Sequence, residues 1–350
     1  MRIYKELFDK IIDPENLFSA WDKFRQGKRQ KKDVQRFERN LEQNIFELHR
    51  GLRDKNYKHG HYESFFISDP KRRHIHKATV RDRILHHAIF KVLNPVFEPT
   101  FIPNSYSCRV GKGTHKGVNT LRSMLRKESQ NNTRSCYILK CDVRKFFDSV
   151  DHDILLSTLR RRIKDPDTIW LLESVAESYV SELPNLFHNS SKGVPIGNLT
   201  SQLFANIYMN EFDQFIKHRL KVKYYARYTD DLVIISRDRE YLQSLIPKLS
   251  AFLKDVLRLN FHPEKVNIHF YSKGVDFLGY VTFPHYILVR KRTKRRILRK
   301  FREQVDLYHK GEVNKERVEA SLRSYLGVLS HANAHNFSVN LRNYFWFMRN

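Results

Sequence analysis

The sequence predicts an α+β fold built on a split βαβ sheet, and three observations predict it. Two runs rich in β-branched and aromatic residues, one ending at Asp142 and one spanning Tyr224 to Ser236, have the composition of buried strands. Longer stretches with apolar residues at three- and four-residue steps read as helices, over Thr200 to Leu220 and over Tyr241 to Val256. The order strand, helices, strand pair, helix, strand, completed by the segment that turns at Asn260 to Pro263, is that of a split βαβ unit. A chain of 350 residues has room for two or three packed units rather than one core.

Residues 1–57 read as helical, and Val34, Phe37, Leu41, Ile45 and Leu48 predict one amphipathic helix behind a polar loop from Gly27 to Asp33. The alternation in YESFFISD and the basic run after it predict a hairpin carrying Lys71, Arg72, Arg73 and Lys77. A helix from Arg81 to Leu93 follows, which Asn94 and Pro95 should end. Tyr106, Arg109, Gly111 and Lys112 form a turn-rich basic segment. Beyond Asp142, Asp148 and Asp151 are expected to cap and solvate a helix from Asp153 to Lys164. Asp165-Pro166-Asp167 breaks it, and Thr168 to Tyr179 forms another. Gly193 to Gly197 reads as a tight turn, and Gly274 to Phe283 as a hairpin with Pro284 as a boundary. From there the chain is mostly helical. Eight of the eleven side chains at 290–300 are basic, so at least one face of that helix must meet phosphate or carry its own repulsion. The aromatic end, LRNYFWFMRN, caps that region or forms a docking surface.

Lys and Arg total 64 against 38 Asp and Glu, a net charge of +26, which calls for a polyanionic partner, nucleic acid being the natural one. No run of eighteen apolar residues occurs and the amino terminus lacks a secretory cleavage pattern, so a soluble, intracellular protein is expected. Cys108, Cys136 and Cys141 are odd in number and lack CxxC spacing; they are expected to be reduced, mostly buried thiols. Among seventeen histidines no HExxH occurs, and His331 and His335 share a predicted helix face without a third ligand. Scattered surface histidines are expected.

The chemistry concentrates in YYARYTDDLVIIS, where Asp230 and Asp231 sit at the tip of a predicted hairpin. Adjacent carboxylates repel, and a half-buried pair needs a cation, usually a divalent metal; the alternative is a solvated Asp-Asp turn. Asp142, at the end of a second strand, is a third carboxylate. Two-metal phosphoryl transfer needs such groups on rigid elements.

The run of strand, Asp142, Phe146, Phe147, Asp148, Val150, Asp151 and His152, followed by YTDD, resembles motifs A and C of the reverse transcriptases. TVRDRILHHAIFKVLNP resembles the fingers motif of the bacterial and group II intron enzymes, and SYSCRVGKGTHKGV the motif after it. GVPIGNLTSQLFANIYMNEFD resembles motif B, and LNFHPEKVNI and VDFLGYVTF resemble motifs D and E, all in family order across residues 60–283. The resemblance implies a right-hand polymerase. Its parts would be an N-terminal helical extension (1–60), fingers (61–135), a split βαβ palm (136–283) and a helical thumb (284–350).

It also implies roles. Two magnesium ions, with manganese as a substitute, would be held by Asp142, Val143, Asp230 and Asp231. Lys265 would protonate the leaving pyrophosphate, a surface lysine after a turn being the alternative. Arg73, or its neighbour Arg72, would contact the incoming triphosphate through bidentate guanidinium bonds. Phe147 would lie beneath the deoxyribose and exclude a 2′-hydroxyl, with Phe146 in the core. Ile196 and Gly197 would lie against the nascent pair. Tyr106, Arg109, Lys112, Ser201, Gln202, Arg295, Arg296 and Arg299 would contact template and primer. Most relatives carry Gln at Ile196 and Pro at Gln202, and this departure resembles the diversity-generating retroelement branch. That branch implies error-prone cDNA synthesis in a prokaryotic or phage-encoded cytoplasmic system, without a membrane. Its partners would be the element's template RNA, primer and cDNA, deoxynucleotides and a small basic oligomeric accessory protein. A retron, antiphage or trimmed group II intron enzyme is the nearer alternative, without a maturase extension or endonuclease after the thumb. An inactive polymerase-like RNA-binding protein is the more distant one.

Overall fold

A computed structural model describes residues 2–69, 72–179 and 192–347; Lys71 and the last three positions of the aromatic tail, 348–350, lie outside them. The chain begins with four helices, α1 (Phe8–Ile12), α2 (Pro14–Arg25), α3 (Lys32–Arg39) and α4 (Leu41–Arg53). The single helix expected through Val34 and Leu48 is two. The backbone breaks at Asn40 (φ −121°, ψ 44°), and the Asn44 amide caps the Phe37 carbonyl left open at the end of α3 (2.9 Å). Apolar spacing survives the break because Val34, Ile45 and Leu48 enter one core.

The hairpin β1 (Glu63–Ile67) and β2 (Arg73–Lys77) leads into α5 (Val80–Phe97), which Thr79 caps through its hydroxyl. This helix runs past Asn94 and Pro95. In the last turn a proline forfeits only one backbone bond, and Val96 and Phe97 are buried beyond it. Helix α6 (Thr114–Glu128), not anticipated from the sequence, covers one face of the central sheet.

That sheet is built from β3 (Tyr137–Asp142), then α7 (Phe146–Ser149), α8 (His152–Arg162), α9 (Pro166–Glu177) and α10 (Leu199–Gln214), then β4 (Tyr224–Tyr228), β5 (Asp231–Ser236), α11 (Arg239–Leu257) and β6 (Asn267–Phe270). Spatial order is β4-β5-β3-β6, all antiparallel, the split βαβ arrangement. Asp165-Pro166 starts α9 rather than merely breaking α8: the Asp165 carboxylate accepts from the Asp167 and Thr168 amides with Pro166 in the first turn. Asp151 caps α8 but is buried, not solvated, and ion-pairs with Arg258 (2.9 Å). Because side chains alternate along a strand, Leu139, Cys141, Leu232 and Ile234 face the large helical core. Ile138, Val233 and Ile235 face α6 and the next sheet.

That next sheet has three strands, β7 (Val275–Phe277), β8 (Tyr280–Thr282) and β9 (Ile287–Val289), so hydrogen bonding continues past Pro284, in place of the expected boundary. The turn closes by the Phe283 amide donating to the Tyr286 carbonyl (2.9 Å). Three helices follow, α12 (Lys291–His309), α13 (Lys315–Leu329) and α14 (His335–Phe347), packed on Ile297, Phe301, Val318 and Leu341.

His331 lies in the loop before α14, stacked on His115 at 3.6 Å, and shares no helix face with His335. Two histidines depart from the expected surface positions: His86 and His152 are buried, and burial pushes His86 down to about 3, while the other described histidines are exposed or partly exposed. Cys136 and Cys141 are buried and Cys108 is exposed. No helix among the described residues is long and apolar enough to cross a membrane.

Candidate active site

The β4–β5 turn is set by its own sequence. Tyr228 pairs with Asp231, Thr229 adopts positive φ (+56°), and Asp230 stands in the two-residue turn. Beneath it lies a residue that the sequence pattern did not single out. Arg227, fully buried, pairs with the equally buried Asp213 (2.7 Å), donates to the Thr229 carbonyl (2.9 Å) and to Ser105 (3.1 Å), and so holds the turn from inside. An arginine inside an apolar strand was the available signal, since buried charge must be paired.

Asp142 ends β3 in register with Asp231, and the Val143 amide donates to the Asp230 carbonyl (3.2 Å). Three carboxylates thus meet at one end of the sheet. Lys265, on a short turn before β6, donates to Asp142 Oδ1 (2.8 Å), and Lys140 Nζ lies 3.6 Å from Asp231 Oδ2. Asp231 Oδ1 is buried without a hydrogen-bond partner. Burial, and then the neighbouring Asp142, pushes Asp230 up to about 6. Burial likewise pushes Asp231 up to about 6, against the pull of Lys140. The edge is short of positive charge, and an orphaned carboxylate oxygen fits a divalent cation. Among the described residues no three His, Cys, Asp or Glu side chains converge on one point, so a cation here would need further oxygens. Val143 is buried and could offer only its carbonyl.

Around this edge, Phe146 is core while Phe147 is partly exposed, its ring 5.3 Å from that of Phe146. The segment before α10 is tied to both neighbours: the Val194 amide donates to the Phe147 carbonyl (2.8 Å), and the His76 amide of β2 donates to the Ile196 carbonyl (3.3 Å). Gly197 has φ +132°, a conformation that favours glycine, with Ile75 and the His76 carbonyl 3.5 Å from where a Cβ would stand. Arg73 and Arg72 separate. Arg73 lines the cleft beside Tyr228 and its charge favours ionised Asp230, whereas Arg72 lies 4.2 Å over the Phe66 ring.

Three expected nucleic-acid contacts are turned inward. The Arg109 side chain is 5% exposed, bound to Glu98 and to the Ile102 and Ser105 carbonyls. Tyr106 is 1% and Ser201 3% exposed. Lys112 donates to the Pro103 carbonyl (2.8 Å), and Gln202 lines a groove between α2, α5 and α10. Arg295, Arg296 and Arg299 line a cleft of about 940 Å³ between α12, Tyr228 and the β1–β2 hairpin. Asp69 at the hairpin tip crosses that cleft to Arg299 (2.9 Å) and Lys300 (3.1 Å).

A family model described as "Reverse transcriptase (RNA-dependent DNA polymerase)" matches residues 58–282, well over half of the chain. The chain is similar to Protein YkfC of Escherichia coli, 27% identical over 65% of this chain and 66% of that protein. It is also similar to the group II intron-encoded protein LtrA of Lactococcus lactis, 23% identical over 68% of this chain and 49% of that protein. Nuclear intron maturase 1 of Arabidopsis thaliana is 31% identical over a shorter match, 27% of this chain and 12% of that protein. The chain thus spans less than two thirds of the length of these relatives.

Proposed function

The chain belongs to the reverse transcriptase family, and from that premise we propose that it is an RNA-directed DNA polymerase of the diversity-generating retroelement type. One observation carries the polymerase reading: Asp142, Asp230 and Asp231 share one end of two paired strands, where burial pushes Asp230 and Asp231 above the usual carboxylate range and one Asp231 oxygen has no partner. Two magnesium ions held by Asp142, Asp230, Asp231 and the Val143 carbonyl, or manganese in their place, would supply charge that acidifies the primer 3′-hydroxyl and neutralises the triphosphate. Arg73, in the cleft, binds triphosphate oxygens. Lys265, already beside Asp142, delivers a proton to the leaving pyrophosphate. Phe147 forms the floor under the sugar and excludes a 2′-hydroxyl by bulk. Fingers, palm and thumb correspond in this reading to the hairpin with α5 and α6, the four-stranded sheet, and α12–α14, with β7–β8 holding the primer end. Arg295, Arg296 and Arg299 bind backbone phosphate whatever the sequence.

Primer extension on an RNA template with deoxynucleotides and magnesium tests this reading; a folded protein that extends no primer overturns it. The finer assignment is supported by Ile196, Gly197, Ser201 and Gln202 standing in the branch's pattern. It brings the template RNA of the element, a basic accessory protein and a cytoplasmic setting. cDNA rich in errors opposite template adenine is the expected result. Faithful copying of adenine favours instead an enzyme of the group II intron-encoded kind, to which LtrA belongs by name.

A further inference from the structure

Lys140 occupies a place where a strand ordinarily keeps an apolar residue. It lies in the middle of β3, paired with Val233 on one side and Asn267 on the other, on the sheet face that carries Ile138, Val233 and Ile235 into the core under α6. Lysine is disfavoured in central strands, and its ammonium cannot be buried without partners. Here it is only one-fifth exposed, and its partners are specific. Nζ donates to the Asp276 carbonyl on β7 (2.6 Å) and lies 3.6 Å from Asp231 Oδ2. Because strand side chains alternate, Lys140 leaves the sheet on the same side as Asp142, two residues on.

The lysine therefore spans two sheets. At one end is a carboxylate whose other oxygen has no partner; at the other is the backbone of the β7–β8 hairpin. The connection runs further, since the Asp276 carboxylate pairs with Arg290, and the Arg290 amide donates to the Gly279 carbonyl (3.0 Å) at the turn of that hairpin. Arg290 also stands at the cap position of α12, the helix whose arginines line the cleft. Of the charged groups acting on the Asp231 carboxylate, namely Lys140, Asp230 and Asp142, the lysine is the one bonded to the hairpin.

From this geometry we infer that Lys140 is a positioning residue for nucleotidyl transfer: it fixes the Asp231 carboxylate and the β7–β8 hairpin relative to each other, so that a primer end held by the hairpin lies in register with the acidic edge. The inference deepens the polymerase reading and depends on it for the identity of what the hairpin holds. Misplacement of reacting groups by about 1 Å costs up to roughly a hundredfold in rate, so the link should act on turnover more than on substrate binding.

The test compares wild type, Lys140→Met and Lys140→Arg by three measurements. Met keeps the aliphatic length without the charge, and Arg keeps the charge. In steady-state primer extension, Lys140→Met should lose roughly ten- to a hundredfold in kcat with KM for the deoxynucleotide little changed. Lys140→Arg should recover most of that loss. Circular dichroism and melting establish that each variant is folded. Hydrogen exchange without nucleic acid should show the amides of Val275 to Thr282 exchanging roughly tenfold faster in Lys140→Met, with β3–β5 unchanged. A folded Lys140→Met with wild-type kcat, or a loss spread over kcat, KM and melting temperature that arginine fails to restore, overturns the proposal. Should wild type extend no primer, the polymerase reading fails by itself. Exchange then decides the link: faster hairpin exchange supports it, and unchanged exchange overturns it.

Discussion

The sheet end that carries Asp142, Asp230 and Asp231 and the helix α12 across the cleft both concentrate like charge, and they dispose of it in opposite ways. At the sheet end, charge is held on buried strands by register, Asp142 opposite Asp231, and burial pushes two of the carboxyls up to about 6. On α12 the arginines stand in solvent or reach exposed acids such as Asp69 and Glu303. Charge that is buried and crowded is specific to its position, and losing one group changes the whole cluster. Charge that is exposed and repeated adds up with little regard to which residue carries it.

If that contrast is right, the largest effect belongs to the sheet end. Asp230→Asn should reduce cDNA synthesis to background in a folded protein; near wild-type extension would remove Asp230 from the site. The same substitution has a signature without metal. A carboxyl whose folded value lies near 6, above the ordinary value, contributes stability below about pH 4 that is lost as pH rises through 6. Metal-free wild type should therefore melt lower at pH 7.5 than at pH 5, and magnesium should restore more at pH 7.5. Asp230→Asn should flatten both trends. A melting temperature of the wild type that does not depend on magnesium at either pH would count against a cation there.

On α12 the expected effect is graded. Replacing Arg295, Arg296 and Arg299 with Gln should reduce the slope of log affinity against log salt by about 0.7 to 0.9 for each phosphate that the protein no longer neutralises. Any one replacement should give about a third of the full change. A single arginine responsible for the whole change, or a slope that does not move, would break the contrast.

Two smaller effects sharpen it at the boundary between the regions. Phe147→Ala should raise ribonucleotide incorporation by roughly tenfold or more, the scale of steric discrimination in a shaped pocket. It should do so with a lesser loss of deoxynucleotide use; unchanged sugar preference would make Phe147 a core residue like Phe146. Ile196→Gln adds a donor and acceptor beside the place assigned to the nascent pair, worth on the order of 1 kcal/mol and hence several-fold in accuracy. Sequenced cDNA from both proteins on one template reads it, and identical error spectra would exclude Ile196.

The central sheet is legible in the sequence because its strands are short, apolar and bounded by acids, so composition and function mark the same residues. The β4–β5 turn and the end of β3 stand where the pattern places them. What the pattern does not reveal is set by partners distant in sequence. Arg109 has the appearance of a phosphate contact because a basic turn is usually solvated, but Glu98 and two backbone carbonyls claim it. Asn40 breaks a helix whose apolar period continues across the break, so periodicity alone cannot show it. Strand β9 has three residues and pairs across a proline turn, too short for alternation to register. Lys140 is hidden within an apolar strand, since its partners come from β5 and β7.

The pairing of Asp69 with Arg299 and Lys300 forms a seam that ties the β1–β2 hairpin to α12 across the cleft. Under the proposed function, a strand entering the cleft across that seam must part it. The seam consists of ion pairs open to water, which dissolved salt screens. Added salt then acts twice on a bound strand: it parts the seam, hastening both entry and escape, and it loosens the grip of arginine on phosphate. Escape is quickened by both actions and entry by only one. The distance copied per encounter should consequently shrink with salt more steeply than the rate of adding each nucleotide.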